Sequence, residues 1–79
     1  MSEELKSFVN DFGALMRERY NKSLAEIETV KSETDIAFQQ GANFAYYDAL
    51  DLMKSQLEAF GYDVRSFSFE VPNLGKKLG

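Results

Sequence analysis

The sequence predicts an all-α protein: a two-helix antiparallel hairpin with a short C-terminal extended arm, dimerising into a four-helix bundle. Three observations carry this prediction. Two long stretches hold apolar residues at helical spacing, each opening on a serine and flanked by polar punctuation. After Gly61 the period shifts from helical to two. Finally, the second stretch carries an apolar arc wider than one partner helix covers, which is the ground for the dimer. The chain then reads as one domain over 1–79, with helices over about 3–30 and 33–60 and an arm and tail over 62–79.

Ser2 is placed to cap the first helix, and Glu3 and Glu4 put negative charge in its first turn, where the helix dipole favours it. The apolar positions are Leu5, Phe8, Val9, Phe12, Leu15, Met16, Tyr20, Leu24, Ile27 and Val30. A strict heptad from Leu5 holds through Met16 and then lands on Arg19, Ser23 and Glu26. An eleven-residue repeat, pairing Val9 with Tyr20 and Met16 with Ile27, fits better and predicts a nearly straight helix. Gly13 lies inside the pattern at a cost of about 1 kcal/mol against alanine, a cost that close packing or a slight bend would explain.

The segment from Thr29 to Thr34 is the expected turn. It is polar but has neither Gly nor Pro, so a single unbroken helix, about 90 Å long, is the competing reading. The cap signal at Ser32, with Glu33 and Asp35 behind it, favours the hairpin.

The second helix should close on Gly61 as a C′ glycine. Ala37, Gly41, Ala45 and Ala49 recur every four residues, and Met53 and Leu57 continue the row. Small side chains in a row let another helix come close, so this row is the expected packing or dimer surface. Phe38, Ala42, Tyr46, Leu50 and Phe60 widen the apolar arc, and Gln40, Asp48, Asp51, Ser55 and Glu58 form the polar side. Tyr46 and Tyr47 are about 100° apart, so only one is expected to pack inward; the other should stand exposed with Asn43 and Phe44. In the arm, Phe67, Phe69 and Val71 alternate with Ser66, Ser68 and Glu70 in a strand-like pattern. Pro72 ends it, and 73–79 reads as a frayed tail.

The composition bounds the function. There are no Cys and no His among the 79 residues, which removes disulfides, thiolate and imidazole ligands, and a histidine base. A 44% hydrophobic and 14% aromatic content is too apolar for a disordered chain. A net charge of −4 disfavours nonspecific attraction to nucleic acid or anionic lipid. The N-terminus has no apolar signal region and no run is long enough to span a membrane, so the cytoplasm is the expected location.

Few residues offer chemistry. Asp48 and Asp51, with Tyr47 beside them, share a helix face and could bind a cation, but a solvated polar face is the simpler account. Arg17, Arg19 and Lys22 form the densest basic patch, with Glu18 among them and Glu26 four residues beyond Lys22. No phosphate loop, nucleophile motif or metal-ligand spacing is present, so no catalytic residue, cofactor or metal is expected. Phe44, Tyr47, Phe67 and Phe69 are the candidates for meeting a protein partner. In size and texture the chain resembles the many short helical proteins of bacteria and their mobile elements, without a motif that carries a function across. The expected function is a non-catalytic interaction module, an adaptor or regulator. Its alternatives are an antitoxin- or immunity-type binder using the acidic surface, or a nucleic-acid-associated regulator using the basic patch.

Overall fold

A computed structural model describes residues 1–67 and 71–76. Helix α1 spans Glu3–Thr29 and helix α2 spans Glu33–Ala59, and they pack against each other as a hairpin. A short 3-10 turn, Val64–Phe67, comes next. Among the described residues there is no strand.

The predicted punctuation is where the chain turns. The Ser2 hydroxyl accepts from the Leu5 amide at 3.1 Å, and the Ser32 hydroxyl from the Asp35 amide at 3.0 Å. Val30 and Ser32 are extended, which breaks the long helix without Gly or Pro. At the far end Gly61 has φ +84°. Its amide reaches the Glu58 carbonyl at 3.0 Å and the Tyr62 amide reaches that of Leu57 at 2.9 Å, the paired bonds of a Schellman close.

The seam between the helices differs from the expected one. On α1 it runs through Val9, Gly13, Met16, Tyr20, Ser23 and Ile27; on α2 through Ile36, Gln39, Asn43, Tyr46, Leu50, Met53 and Leu57. Both are spaced alternately by three and four residues, so each presents one narrow stripe to the other. Tyr20 and Leu50 are wholly buried at its centre. Of the row of small residues, Ala37, Gly41 and Ala45 are exposed, Ala49 and Met53 half-buried, and Leu57 buried. The row therefore meets α1 only at its C-terminal end. Asn43 is buried, not exposed, and Tyr46 and Tyr47 are both half-buried against the core on its two flanks.

The reason is a polar cluster. Asn43 Nδ2 donates to the Tyr20 carbonyl at 3.2 Å and to Ser23 Oγ at 3.1 Å, while the Ser23 hydroxyl donates to the Tyr20 carbonyl at 2.8 Å. Buried polar groups are tolerated when they satisfy one another, and these fix which turn of α2 faces which turn of α1. Gln39 Nε2 donating to Glu26 at 3.0 Å holds the same register nearer the turn.

The described part of the C-terminal segment, 62–67 and 71–76, lies as a strap on the hairpin, and Val64–Phe67, expected as part of an extended arm, is a 3-10 turn. Asp63 initiates the 3-10 turn: its carboxylate accepts from the Arg65 amide, and its carbonyl from the Ser66 hydroxyl. Arg65 returns a two-pronged ion pair at 3.0 Å, whose hydrogen bonds hold the Asp63 carboxyl below its ordinary range. Both side chains are exposed, so the pair contributes little to stability. Phe67 is buried, edge-on to Tyr62, with the Lys6 ammonium 5.9 Å from its ring centre. Pro72 is buried. Residues 73–76, predicted as part of a frayed tail, form a turn closed by the Lys76 amide on the Asn73 carbonyl at 2.9 Å, with Gly75 at φ +86°. The Tyr20 hydroxyl reaches the Lys76 carbonyl at 2.7 Å and that of Asn73 at 3.2 Å, which pins the turn to the hairpin. Phe69 lies outside the described residues.

Candidate interaction surface

The strap covers one side of the seam and leaves the other open. On the covered side Leu74 and Gly75 lie with Leu24 and Ile27 of α1 and Gln40, Asn43 and Phe44 of α2. On the open side a groove of about 410 Å³ runs between the helices, walled by Leu15, Arg19 and Lys22 of α1 and by Phe38, Ala42 and Tyr46 of α2. Beyond the groove the same helix faces continue at spacings of three and four: Leu5, Phe8, Phe12 and Leu15 along α1, and Phe38, Ala42, Ala45, Ala49 and Leu52 along α2.

Away from the turn this face is apolar and, among the described residues, uncovered; in the groove Glu18, Arg19, Lys22 and Glu26 stand beside its apolar residues. Phe8 is 60% exposed, Phe38 70% and Leu52 58%, and Leu5, Phe12 and Leu15 are exposed as well. The Phe8 and Phe12 rings stack at 6.1 Å between centroids, which makes a firm ridge along α1. The facing stretch of α2 is low, because its outward residues from Ala42 to Ala49 are alanines. Contiguous apolar surface of this kind marks an interaction site or an aggregation hazard.

The other predicted site residues separate. Phe44 and Tyr47 do come together, rings 6.1 Å apart, but on the strap side; Phe44 is exposed and Tyr47 half-buried. Phe67 is committed to the core and offers nothing to a partner while the strap is docked. Asp48 and Asp51 are exposed, and among the described residues no group of three or more carboxylates is placed to hold a metal ion. Arg19 and Lys22 share the groove with Glu18 and Glu26, while Arg17 is half-buried away from it. The basic patch is thus divided between two sides of the hairpin. Among the described residues no helix is long and apolar enough to cross a membrane.

The sequence reading missed the ridge, because it placed Leu5, Phe8, Phe12 and Leu15 in one apolar set with the seam residues. The run Leu5, Phe8, Phe12 and Leu15, spaced by three and four, was the available signal: it marks the open face, while the set through Val9, Met16 and Tyr20 marks the seam. Searches of protein-family models, curated proteins and solved structures find no match for this chain.

Proposed function

We propose that the protein is a small non-catalytic interaction module, an adaptor or regulator that acts in the cytoplasm as a homodimeric four-helix bundle. The observation that supports this reading is the open face: Phe8, Phe12, Leu15, Phe38 and Leu52 stand in solvent on one side of a hairpin whose other side the chain's own strap covers. Leaving such a face in water costs about 25 cal/mol per Å² of apolar surface, which burial against another helical surface recovers. The partner of the assembled module would meet the exposed Phe44, which stands beside the strap against the half-buried Tyr47 and which dimerisation through the open face leaves accessible. Sedimentation equilibrium at micromolar concentration tests the assembly. The expected mass is about twice the 9.0 kDa of one chain. A mass of 9.0 kDa throughout would refute it.

A further inference from the structure

We propose that the strap turn from Asn73 to Lys76 is a latch: it lifts off the hairpin as one piece while the hairpin stays folded, and the Tyr20 hydroxyl is its catch. The latch itself is independent of the adaptor reading. What it controls, the surface around Phe44, rests on that reading.

Packing holds this turn weakly. Asn73, Leu74, Gly75 and Lys76 are all exposed, Leu74 to 50%. Beside Leu74 and Gly75 a cleft of about 330 Å³ stays unfilled among the described residues, walled on the helices by Leu24, Ile27 and Phe44 with Gln40 and Asn43. A turn pressed onto those side chains would have closed that space, as close packing does in a core. The tie is polar instead. The Tyr20 hydroxyl reaches the Lys76 carbonyl at 2.7 Å and the Asn73 carbonyl at 3.2 Å. The Tyr20 ring is wholly buried in the seam, so this donor belongs to the hairpin and does not travel with the turn. A hydroxyl carries one proton, so the two carbonyls share it, and together they count as about one hydrogen bond.

The turn is also built to move as a unit. The Lys76 amide donates to the Asn73 carbonyl at 2.9 Å, and Gly75 takes φ +86°, so the turn closes on itself. None of these features involves the helices, and all survive lifting. Pro72, immediately before the turn, is buried and marks where the anchored part of the strap ends. Opening therefore breaks one shared hydrogen bond and the contacts of one half-exposed leucine. It leaves no polar group stranded, because lifting lets water reach both the Tyr20 hydroxyl and the two carbonyls. The seam keeps Leu50, the Asn43–Ser23 bond and the Asn43 bond to the Tyr20 carbonyl, so the hairpin has no reason to open with the turn.

Lifting removes the Leu74–Gly75 wall from the cleft and leaves Leu24 and Ile27, half-buried when the latch is shut, open to solvent beside Phe44. A protein partner that meets Phe44 and spreads onto these two side chains binds the open form more tightly and draws the equilibrium toward it. Its apparent affinity is reduced by the fraction of chains whose latch is open, so the Tyr20 hydroxyl sets the threshold for capture.

Methyl relaxation dispersion on the dilute full-length chain tests the latch. The methyls of Leu74, Leu24 and Ile27 should share one exchange process on the microsecond-to-millisecond timescale, while those of Leu50 and Leu57 in the seam show none. Tyr20→Phe keeps the ring and deletes the hydroxyl, and should raise the open population about two- to tenfold with the helix content unchanged. Gly75→Ala reaches the catch from the other side. At φ +86° alanine is strained although its Cβ meets nothing within 4 Å, so it should raise the open population without touching the seam. Exchange at Leu50 with the same rate and population would show that the turn opens only with the hairpin, and would overturn the latch. So would flat profiles at Leu74, or an open population that neither variant changes. The measurement involves no partner: its failure leaves the reading of Phe44 standing, and a Phe44→Ala chain that loses no partner would remove that reading and leave the latch.

Discussion

On one side of the hairpin Phe67, Pro72 and the turn from Asn73 to Lys76 lie against the helices; on the other, Phe8, Phe12, Leu15, Phe38 and Leu52 stand in solvent. Both sides are apolar, so hydrophobicity alone does not decide which is covered. Tethering and direction do. The Schellman close at Gly61 turns the chain out of α2 and delivers the C-terminal segment to the strap side. Docking it costs the order of its backbone, about 1–2 kcal/mol per residue, without the larger cost of capturing a second molecule. The strap side also offers a directional anchor, the Tyr20 hydroxyl against two strap carbonyls. The open side offers a firm ridge and a low trough, which suit helix-on-helix packing.

The largest contrast should come from removing one ring on each side. Tyr20→Ala empties a wholly buried site, removes the strap's anchor, and should cost about 3–5 kcal/mol in denaturant unfolding. That is a large part of the roughly 4–12 kcal/mol expected for a domain of this size, so the variant's unfolding midpoint should fall to low denaturant. Phe12→Ala, on the open side, should change the unfolding of the dilute chain by less than about 0.5 kcal/mol and yet weaken self-association. Equal losses in dilute solution would mean that the two sides are not distinct in the way described.

Much of the fold was legible from residues whose effect is local. Ser2, Ser32 and Gly61 each act on backbone groups within a few positions, so their roles could be read directly. The seam was not legible for the opposite reason. Asn43, Ser23 and Gln39 look like surface residues, and become seam residues only through partners roughly 13 to 23 positions away. Reading α2 by apolar content alone selected Phe38, Ala42, Ala45 and Ala49, which border the open face instead. In the strap, alternation suggested an extended arm, while Asp63 set a 3-10 turn from Val64 to Phe67. The pairing of Asp63 with Ser66 three residues on was a local capping signal that the alternation obscured. The candidate site was half legible: an apolar arc too wide for one partner pointed to an uncovered face, but not to the ridge on α1 that forms its firmer half.

An intermediate effect is expected where the two sides share the seam. Asn43→Ala removes the donor to the Tyr20 carbonyl and to Ser23 Oγ, and should cost about 1–3 kcal/mol by thermal or urea unfolding. Because the cluster lies between strap and groove, the loss should also speed amide exchange in the turn that Tyr20 holds. A loss within error, with exchange unchanged, would assign the register to apolar packing around Leu50 and leave the polar cluster incidental.

The smallest effect should have the opposite sign. Gly41 lies inside α2, where glycine costs about 1 kcal/mol relative to alanine. It is exposed, and a Cβ built there meets nothing within 4 Å. Nothing in the single chain requires glycine, so Gly41→Ala should stabilise it by about 0.5–1 kcal/mol. For a chain of this length that raises the midpoint of a dilute thermal melt by about 4–8 °C per kcal/mol. The same position borders the low part of the open face, so concentration separates its two roles. If the small row admits a second copy closely, Gly41→Leu should leave the dilute melt near that of the parent and weaken the concentration dependence of the midpoint. Should Gly41→Ala instead lower the dilute melt, the row would face α1 within the chain, and the seam through Asn43 and Leu50 would have to be redrawn.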